Sequence, residues 1–392
     1  MHEFLKRTWA EINLDNLIFN VNQIKKQIPA STKIMAVVKA DGYGHGDQYI
    51  AQTLSDNGID FFAVSNFDEA LSLRKSGITG EILILGFTPV HKALELAQLN
   101  ITQTVFSVEY ASLLNQYCEK HYCKLNVHIK IDTGMARLGL IHNECSNALE
   151  EAIQICNLKN LDVNGIFSHF SSADSLDRSS VAYTKSQIKW FNDIVYNLKE
   201  HGYTIPNVHL QNSAGIAFYP EMQYNYVRAG IIMYGVAPSG ESLKLPIKPV
   251  MQLKSVVSMV KDIQKGTSVS YSRKFVSYER MKIATVPIGY ADGYPRLLSN
   301  KGEMLVNGKR ATIIGNICMD QLMLNVTSID DIKQGDIVTV VGEDGKEFIS
   351  FDELSNKIGT ISYELMCLIG RRVPRVYTYK GNIVGVVDYL TN

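Results

Sequence analysis

The sequence lacks the features that mark disulfide-rich and zinc-binding proteins. Its six cysteines lie at positions 118, 123, 145, 156, 318 and 367, and no two of them form a Cys-x-x-Cys pair. Cysteines scattered in this way favour free thiols in a reducing compartment over a metal site or a disulfide framework. We therefore expect no metal centre.

Long apolar segments and an excess of one charge are absent as well. The amino-terminal stretch MHEFLKRTWAEINLDN has no apolar signal-peptide core, and no run of about 18 apolar residues could span a membrane. The 39 lysines and arginines balance the 39 aspartates and glutamates, so no strong field favours nucleic acid or an anionic membrane. These absences predict a cytoplasmic protein with a small-molecule substrate and neither a nucleic-acid nor a membrane partner.

Eight short apolar, β-branched runs alternate with helically spaced segments in the first part of the 392-residue chain. The runs cover residues 34–40, 61–65, 81–86, 102–107, 125–132, 163–170, 207–213 and 226–235. Such alternation is typical of βαβ units around a parallel sheet, and eight units predict a (β/α)8 TIM barrel. An open doubly wound sheet is the alternative, but no GxGxxG sequence opens a helix after a strand.

The pattern changes after about residue 240, where strand-like runs follow one another closely. Asn307-Gly308, between two such runs, is a strong hairpin signal. We predict an α/β protein with an N-terminal barrel over residues 12–240 and a C-terminal, mostly-β domain over residues 241–392. The strand-like segment TWAEINL at residues 8–14 could join either domain, so residues 1–11 are a candidate addition to the second.

Polar residues gather at the carboxyl ends of the predicted barrel strands, where barrel enzymes carry their active sites. They are Lys39, Lys130, Asp132, His169, Asn212, Ser213 and Arg228. Lys39 ends the run AVVKADGYGHG, and a desolvated lysine amine can attack a carbonyl group to form an imine. The carbonyl could belong to a keto substrate or to pyridoxal phosphate (PLP). The glycine-containing segments NSAG (212–215) and RAGI (228–231) are candidate phosphate-binding turns.

Nine motifs, in their order along the chain, resemble those of the alanine racemase family. They are AVVKADGYGHG, HIKIDTGMARLG, HFSSAD, QNSAG, VRAGIIMYG, VSYSRKF, PIGYADGYPR, GNICMDQ and RRVPRVY. The resemblance implies a PLP-dependent barrel followed by a β domain, and an enzyme that interconverts L-alanine and D-alanine by a two-base mechanism, supplying D-alanine for peptidoglycan. It also implies a homodimer with shared active sites.

The resemblance assigns a role to each matching residue. Lys39 would carry PLP as an imine and act as one acid/base group, with Tyr271 as the other on the opposite face. Arg228 would face the pyridine nitrogen, supported by His209, with His169 beside the ring and Asn212 near it. The phosphate would be held by Tyr43, Ser213, Gly230, Ile231 and Tyr363. Arg137 would contact the phenolic oxygen of PLP and reach toward the substrate carboxylate, which Met319 would contact through its main-chain amide. Lys130 is a candidate carbamylated lysine that orients Arg137.

The sequence also departs from the family pattern, and other activities stay open. Ser272-Arg273-Lys274, Asn316 and Gly370 stand where other residues are common in the family. The first two departures could alter the charge of the substrate channel, so a serine/alanine racemase is an alternative. Arg228 disfavours a PLP amino-acid decarboxylase of similar architecture. The second domain disfavours a PLP-binding carrier.

Overall fold

The computed structural model describes residues 4–239 and 243–391, which form two main sheets. The first sheet contains eight parallel strands, each joined to the next around a ring. They are Lys33–Val37, Phe61–Val64, Glu81–Ile84, Ile101–Val105, Leu125–Asp132, Leu161–Phe167, Asn207–His209 and Tyr226–Ala229. Ile101–Val105 pairs with Leu125–Asp132, which closes the ring and excludes the open doubly wound sheet. The predicted barrel is therefore confirmed.

One helix precedes the first barrel strand, and the others lie between barrel strands on the outside of the ring. In chain order they are Leu14–Gln27, Asp47–Asp56, Phe67–Lys75, Ala93–Gln98, Val108–Lys120, Leu149–Cys156, Arg178–Glu200 and Ser213–Phe218, with short 3-10 turns at Val90–Lys92 and Ile231–Tyr234. The two-residue strand Leu140–Ile141 pairs with the end of Leu125–Asp132. No helix in the described part of the chain is both long enough and apolar enough to cross a membrane.

The second sheet is mostly antiparallel, as the strand-rich second half of the sequence predicts. Its strands are Thr8–Asn13, Met251–Val256, Met259–Ile263, Met281–Val286, Glu303–Val306, Lys309–Ile313, Leu322–Asn325, Ile337–Asp344, Glu347–Ile349, Arg375–Tyr379 and Asn382–Val387. A separate pair is formed by Ser268–Val269 and Phe275–Val276. The remaining elements are the helices Phe351–Ile358 and Ser362–Leu368 and the 3-10 turns Tyr271–Arg273, Tyr290–Asp292 and Arg296–Leu298.

The amino-terminal strand lies in the second sheet, although the barrel follows it in sequence. Thr8–Asn13 pairs with Met251–Val256 on one side and Arg375–Tyr379 on the other. The chain therefore starts in the sheet of the second domain, passes through the barrel and returns. The predicted boundary between residues 240 and 241 lies outside the described residues.

Local turn chemistry explains two features of the second domain. Asn307 and Gly308 both have positive φ, at 49° and 71°, as a two-residue hairpin turn between twisted strands requires. The strand-like sequence VMQLKSVVSMV at residues 250–260 forms two strands, because Val257 donates its amide to the Asp336 carbonyl and Ser258 donates to that of Thr285, so the chain changes partner there.

The second sheet packs against the segment that follows Lys39. Arg375, which is almost fully buried, donates from Nε to the carbonyl of Gly44 at 2.9 Å. Tyr377 Oη donates to the carbonyl of His45 at 3.0 Å. A Cβ on Gly46 would overlap Tyr377 Oη, which explains the glycine there. The two domains thus meet directly behind the end of the first barrel strand.

Candidate active site

A cavity of about 440 Å³ opens at the carboxyl ends of the barrel strands. Nine of the predicted site residues line it: Lys39, Tyr43, Arg137, His169, Asn212, Ser213, Arg228, Gly230 and Tyr363. Three of these side chains are cationic, whereas Asp174 is the acidic residue in the lining. This balance of charge suits a ligand that carries phosphate or carboxylate groups.

Lys39 enters the cavity immediately after the first barrel strand. Burial lowers the pKa of its amine, and the positive charge of Arg137 lowers it further. Both effects disfavour the ammonium form, so more of the neutral, nucleophilic amine is present than for an exposed lysine. This environment favours the functional interpretation of Lys39 over that of a solvated strand-end lysine.

Arg228 forms the buried floor of the cavity, where its side chain is held by neutral acceptors. Its Nη atoms donate to the carbonyls of Ser168, His209 and Leu210 at 2.7, 3.1 and 2.9 Å. Nη1 also donates to Nδ1 of His209 at 2.8 Å. Burial lowers the pKa of Arg228 to about 9, which still leaves it a cation at neutral pH.

Two buried histidines continue from Arg228 away from the cavity. Because His209 accepts from Arg228 at Nδ1, its proton lies on Nε2, 2.9 Å from Nδ1 of His128. Burial lowers the pKa of both imidazoles, to about 3 for His128, so both are neutral. Nε2 of His128 packs against Gly165, where a Cβ would overlap the ring. The hydrogen bonds from Arg228 to His209 and from His209 to His128 fix the orientation of the Arg228 guanidinium.

His169 lies beside Arg228 on the cavity wall. Arg228 Nη2 donates to its Nδ1 at 3.2 Å, and Nδ2 of Asn212 lies 3.4 Å from its Nε2. The buried amide of Gln187 donates to the His169 carbonyl at 3.2 Å and accepts from the Ser171 amide at 3.1 Å. Gln187 lies on the helix Arg178–Glu200 outside the barrel, and from there it fixes the loop that contains His169.

Tyr43, Ser213 and Gly230 converge on one side of the cavity. Ser213 Oγ accepts from the Gly230 amide at 3.1 Å. A Cβ on Gly230 would lie 2.7 Å from Tyr43 Oη, so glycine keeps this space open. Two hydroxyl groups and a main chain without a side chain form a cradle of the kind that suits phosphate oxygens. Ile231 begins the adjacent 3-10 turn and is buried behind the cavity wall.

Lys130 is buried next to the cavity and does not line it. Its Nζ donates to the Ile131 carbonyl at 2.8 Å and lies 5.2 Å from the centre of the Phe167 ring. Burial, reinforced by the charge of Arg228, lowers its pKa to about 7. A substantial neutral fraction of this amine is therefore present at physiological pH.

Tyr363 reaches the cavity from the second domain of the same chain. It lies on the helix Ser362–Leu368, and its ring centre is 6.1 Å from that of Tyr43. Burial raises the pKa of its phenol well above the usual range, so it remains protonated. Tyr363 thus narrows the cavity with a neutral hydroxyl-bearing ring.

Two predicted residues lie away from this cavity. Tyr271 and Met319 are on the surface of the second domain, with 70% and 52% of their surface exposed. The main chain around Tyr271 is strained, because Ser270 and Ser272 have φ of 65° and 59°. Asn316, one of the departures from the family pattern, donates from Nδ2 to the Tyr271 carbonyl at 2.8 Å. The structure of one chain therefore does not bring the two predicted bases together.

Sequence reasoning missed several polar residues that support the site. They are Glu69, His128 and Gln187. Only Glu69 had a local signal, because Asn66-x-x-Glu69 has the spacing of a helix capping box. The other two act through partners far away in sequence. Among the described residues, no three His, Cys, Asp or Glu side chains are grouped as metal ligands.

The chain is similar over its whole length to known proteins. Residues 12–238 match the family model described as the alanine racemase N-terminal domain, and residues 250–377 match that of the C-terminal domain. The alanine racemase of Clostridium novyi is 43% identical over 100% of both chains.

Solved structures agree with the sequence relatives. The alanine racemase structure of Clostridium difficile 630 has a TM-score of 0.91 and 39% identity, covering 99% of this chain and 100% of that one. The Bacillus anthracis alanine racemase, solved with bound L-Ala-P, has a TM-score of 0.92 and 35% identity, covering 99% of both chains. This chain therefore belongs to the alanine racemase family, a family of amino-acid isomerases.

Proposed function

We propose that this chain is a cytoplasmic enzyme that interconverts L-alanine and D-alanine with PLP bound at Lys39. Its product D-alanine would be used for peptidoglycan. The observation that carries the proposal is the desolvated Lys39 amine in a cavity that also contains Arg137 and Arg228. Family membership and the L-Ala-P bound in the Bacillus anthracis relative support alanine as the substrate.

The residues present fit PLP at both of its ends. The cradle of Tyr43, Ser213 and Gly230 offers hydroxyl groups and open main chain for the phosphate. Arg228, fixed by neutral acceptors, would lie against the pyridine nitrogen, with Asn212 and His169 beside the ring. Ile231, through its main-chain amide, and Tyr363 would complete the phosphate site. A cavity of about 440 Å³ leaves room for a small amino acid as well.

When bound, PLP supplies an electron-withdrawing imine that makes the Cα proton of the amino acid acidic. Lys39 Nζ would move a proton to and from Cα on one face of the substrate. The lowered pKa of this amine favours its action as a base. Inversion also requires a group on the opposite face, and Tyr271 is assigned that role. Arg137 would orient the substrate carboxylate, aided by the main-chain amide of Met319.

The surface position of Tyr271 and Met319 is the reason to propose a homodimer. Neither residue lines the cavity of its own chain, and both are exposed, so a second copy of the chain could present them to the site. Two-fold association would then complete two sites with the same pair of surfaces. The Lys130 amine, neutral in part at physiological pH, could carry a carbamate whose negative charge orients Arg137.

A chemical trap combined with a chiral assay tests the function. Borohydride reduction of the purified protein should fix PLP on the peptide containing Lys39, and pure L-alanine should lose its optical rotation. Lys39→Ala should abolish both results. Lys33→Ala, which alters an exposed lysine at the start of the same strand, should change neither. Recovery of the label on another lysine, or release of carbon dioxide instead of racemisation, would overturn the proposal.

A further inference from the structure

The segment after Lys39 has an unusual backbone conformation. Ala40, Asp41, Gly42 and Tyr43 have φ of 53°, 54°, 59° and 54°, which forms a left-handed turn. Left-handed helical backbone is unfavourable for each residue that carries a Cβ, because the Cβ approaches the following carbonyl oxygen. A turn of this kind persists only where surrounding contacts hold it. Since Lys39 precedes the turn and Tyr43 ends it, these contacts also set the position of two cavity residues.

Glu69 provides the contact at the start of the turn. Its Oε1 accepts from the Ala40 amide at 2.8 Å, and its Oε2 accepts from the Ser65 amide at 2.6 Å. One carboxylate therefore joins the segments that follow the first and second barrel strands. Hydrogen bonds to an ionised carboxylate are stronger than those between neutral groups.

Helix capping does not account for this arrangement. Glu69 is the third residue of the helix Phe67–Lys75, and Asn66 caps that helix by accepting from the Glu69 amide at 3.0 Å. In a capping box the glutamate side chain would return to the amide of the capping residue. Here its two oxygens accept instead from Ser65 and from Ala40, which belongs to another βα unit.

We propose that Glu69 is a positioning residue for Lys39, holding the Ala40 amide and thereby the start of the left-handed turn. This inference rests on the proposed function for its catalytic meaning. The contact itself can be tested without PLP.

The charge of Glu69 adds a second effect. The charged and titratable groups that influence the Lys39 amine are Arg137, Arg228, Glu69 and Cys367, from four different elements. Among these, the carboxylate of Glu69 raises the pKa of Lys39 and opposes the two arginines. Loss of this charge should therefore lower the pKa of Lys39, which helix capping alone would not do.

The decisive comparison is between Glu69→Gln and Asn66→Ala in the apoprotein. Competitive acetylation over a range of pH measures the pKa of Lys39, and amide hydrogen exchange measures protection of residues 40–46. Glu69→Gln keeps the shape of the side chain, yet its amide group cannot accept from both main-chain amides. We expect a lower Lys39 pKa and faster exchange of the turn. Asn66→Ala, which removes only the helix cap, should leave the Lys39 pKa unchanged.

Kinetics of the protein with PLP provides a separate readout. A misplaced Lys39 should lower kcat for alanine by roughly 10-fold or more, with a smaller change in KM. The inference is overturned if Glu69→Gln leaves the Lys39 pKa and the exchange of the turn unchanged, or if Asn66→Ala reproduces its effects. If borohydride instead labels another lysine, the proposed function fails, while the acetylation result still decides whether Glu69 positions Lys39.

Discussion

Arg228 donates a hydrogen bond from Nη1 to Nδ1 of His209 across 2.8 Å, and both side chains are buried. The bond fixes the His209 proton on Nε2, where it faces His128. Neutral imidazoles, rather than a carboxylate, therefore support the arginine on the cavity floor. An arginine held in this way keeps its own protons, so it cannot protonate a ring nitrogen placed against it.

This arrangement predicts the effect of Arg228→Glu on the side reactions of the enzyme. A glutamate at this position could share a proton with the pyridine nitrogen of PLP, which would draw more electron density from the substrate Cα. We expect slower racemisation and more transfer of the alanine amino group to the cofactor aldehyde, which would release one pyruvate for each cofactor aminated and can be measured with lactate dehydrogenase. His209→Leu is the control, because it disturbs the same buried cluster without adding a carboxylate. No rise in pyruvate with Arg228→Glu, or an equal rise in both variants, would contradict the prediction.

Lys130 gives a prediction that depends on pH. Burial lowers its pKa to about 7, and only the neutral amine reacts with carbon dioxide to form a carbamate. Above pH 7 the amine is mostly neutral, whereas below pH 7 it gains a proton and the carbamate should be lost. Carbon-13 NMR of the protein in labelled bicarbonate should therefore show a carbamate signal that declines as the pH falls.

The control for this signal is Lys130→Arg, which keeps a positive charge but cannot form a lysine carbamate. The signal should vanish in this variant. A signal that persists in Lys130→Arg would assign it to another amine. If no signal appears above pH 7 in the unaltered protein, Lys130 is not carbamylated under these conditions.

Tyr363 should restrict the side chain of the substrate. Its ring narrows the cavity beside Tyr43 and carries a protonated hydroxyl. Tyr363→Asn should make room for a hydroxymethyl group and offer it a hydrogen bond, so kcat/KM for serine should rise relative to alanine. An added hydroxyl is rejected only about a hundred-fold by an apolar pocket, so the unaltered enzyme should turn over serine slowly.

Ile361→Val tests whether the effect belongs to Tyr363. Ile361 also lines the cavity, two positions before Tyr363, and its replacement by valine removes only one methyl group. The serine-to-alanine ratio should stay the same in this control. An unchanged ratio in Tyr363→Asn itself would place the specificity elsewhere, for example in the segment Ser272-Arg273-Lys274.

The sequence predicts those features that depend on neighbouring residues along the chain. Alternating runs predict the barrel, and Asn307-Gly308 predicts the hairpin, because strand period and turn conformation are local properties. By contrast, the strand-like sequence SVSY at residues 268–271 is a strand only as far as Val269, since Ser270 adopts positive φ. Packing of distant segments overrides local preference at that point.

The supporting contacts of the site could not be predicted in the same way. His128 and His209 meet although they are 81 positions apart, and Glu69 meets Ala40 across 29 positions. The first contact joins two barrel strands that are not neighbours, and the second joins the segments that follow two neighbouring strands. Side-chain spacing along the chain does not encode such pairs. In the proposed homodimer, the place of Tyr271 would depend on a second molecule, which a single sequence does not describe.

The position of Tyr271 predicts how the active site is assembled. Lys39 lines the cavity, whereas Tyr271 is 70% exposed on the second domain, so each complete site should need two chains. Co-expression of Lys39→Ala with Tyr271→Ala should therefore produce hybrid dimers with one doubly altered site and one intact site. Random pairing makes half of the dimers hybrid, so about a quarter of the unaltered activity should return.

Differently tagged chains allow the hybrids to be isolated and assayed alone. Co-expression of Lys39→Ala with Tyr278→Ala serves as the control, because Tyr278 is another exposed tyrosine of the second domain. Its hybrids keep Tyr271 on both chains, so they show how much activity one unaltered Lys39 supports in a hybrid whether or not the sites are shared. If isolated Lys39→Ala and Tyr271→Ala hybrids are inactive while the control hybrids are active, sites are not shared in the proposed manner. The site on each barrel would then not use Tyr271 of the dimer partner.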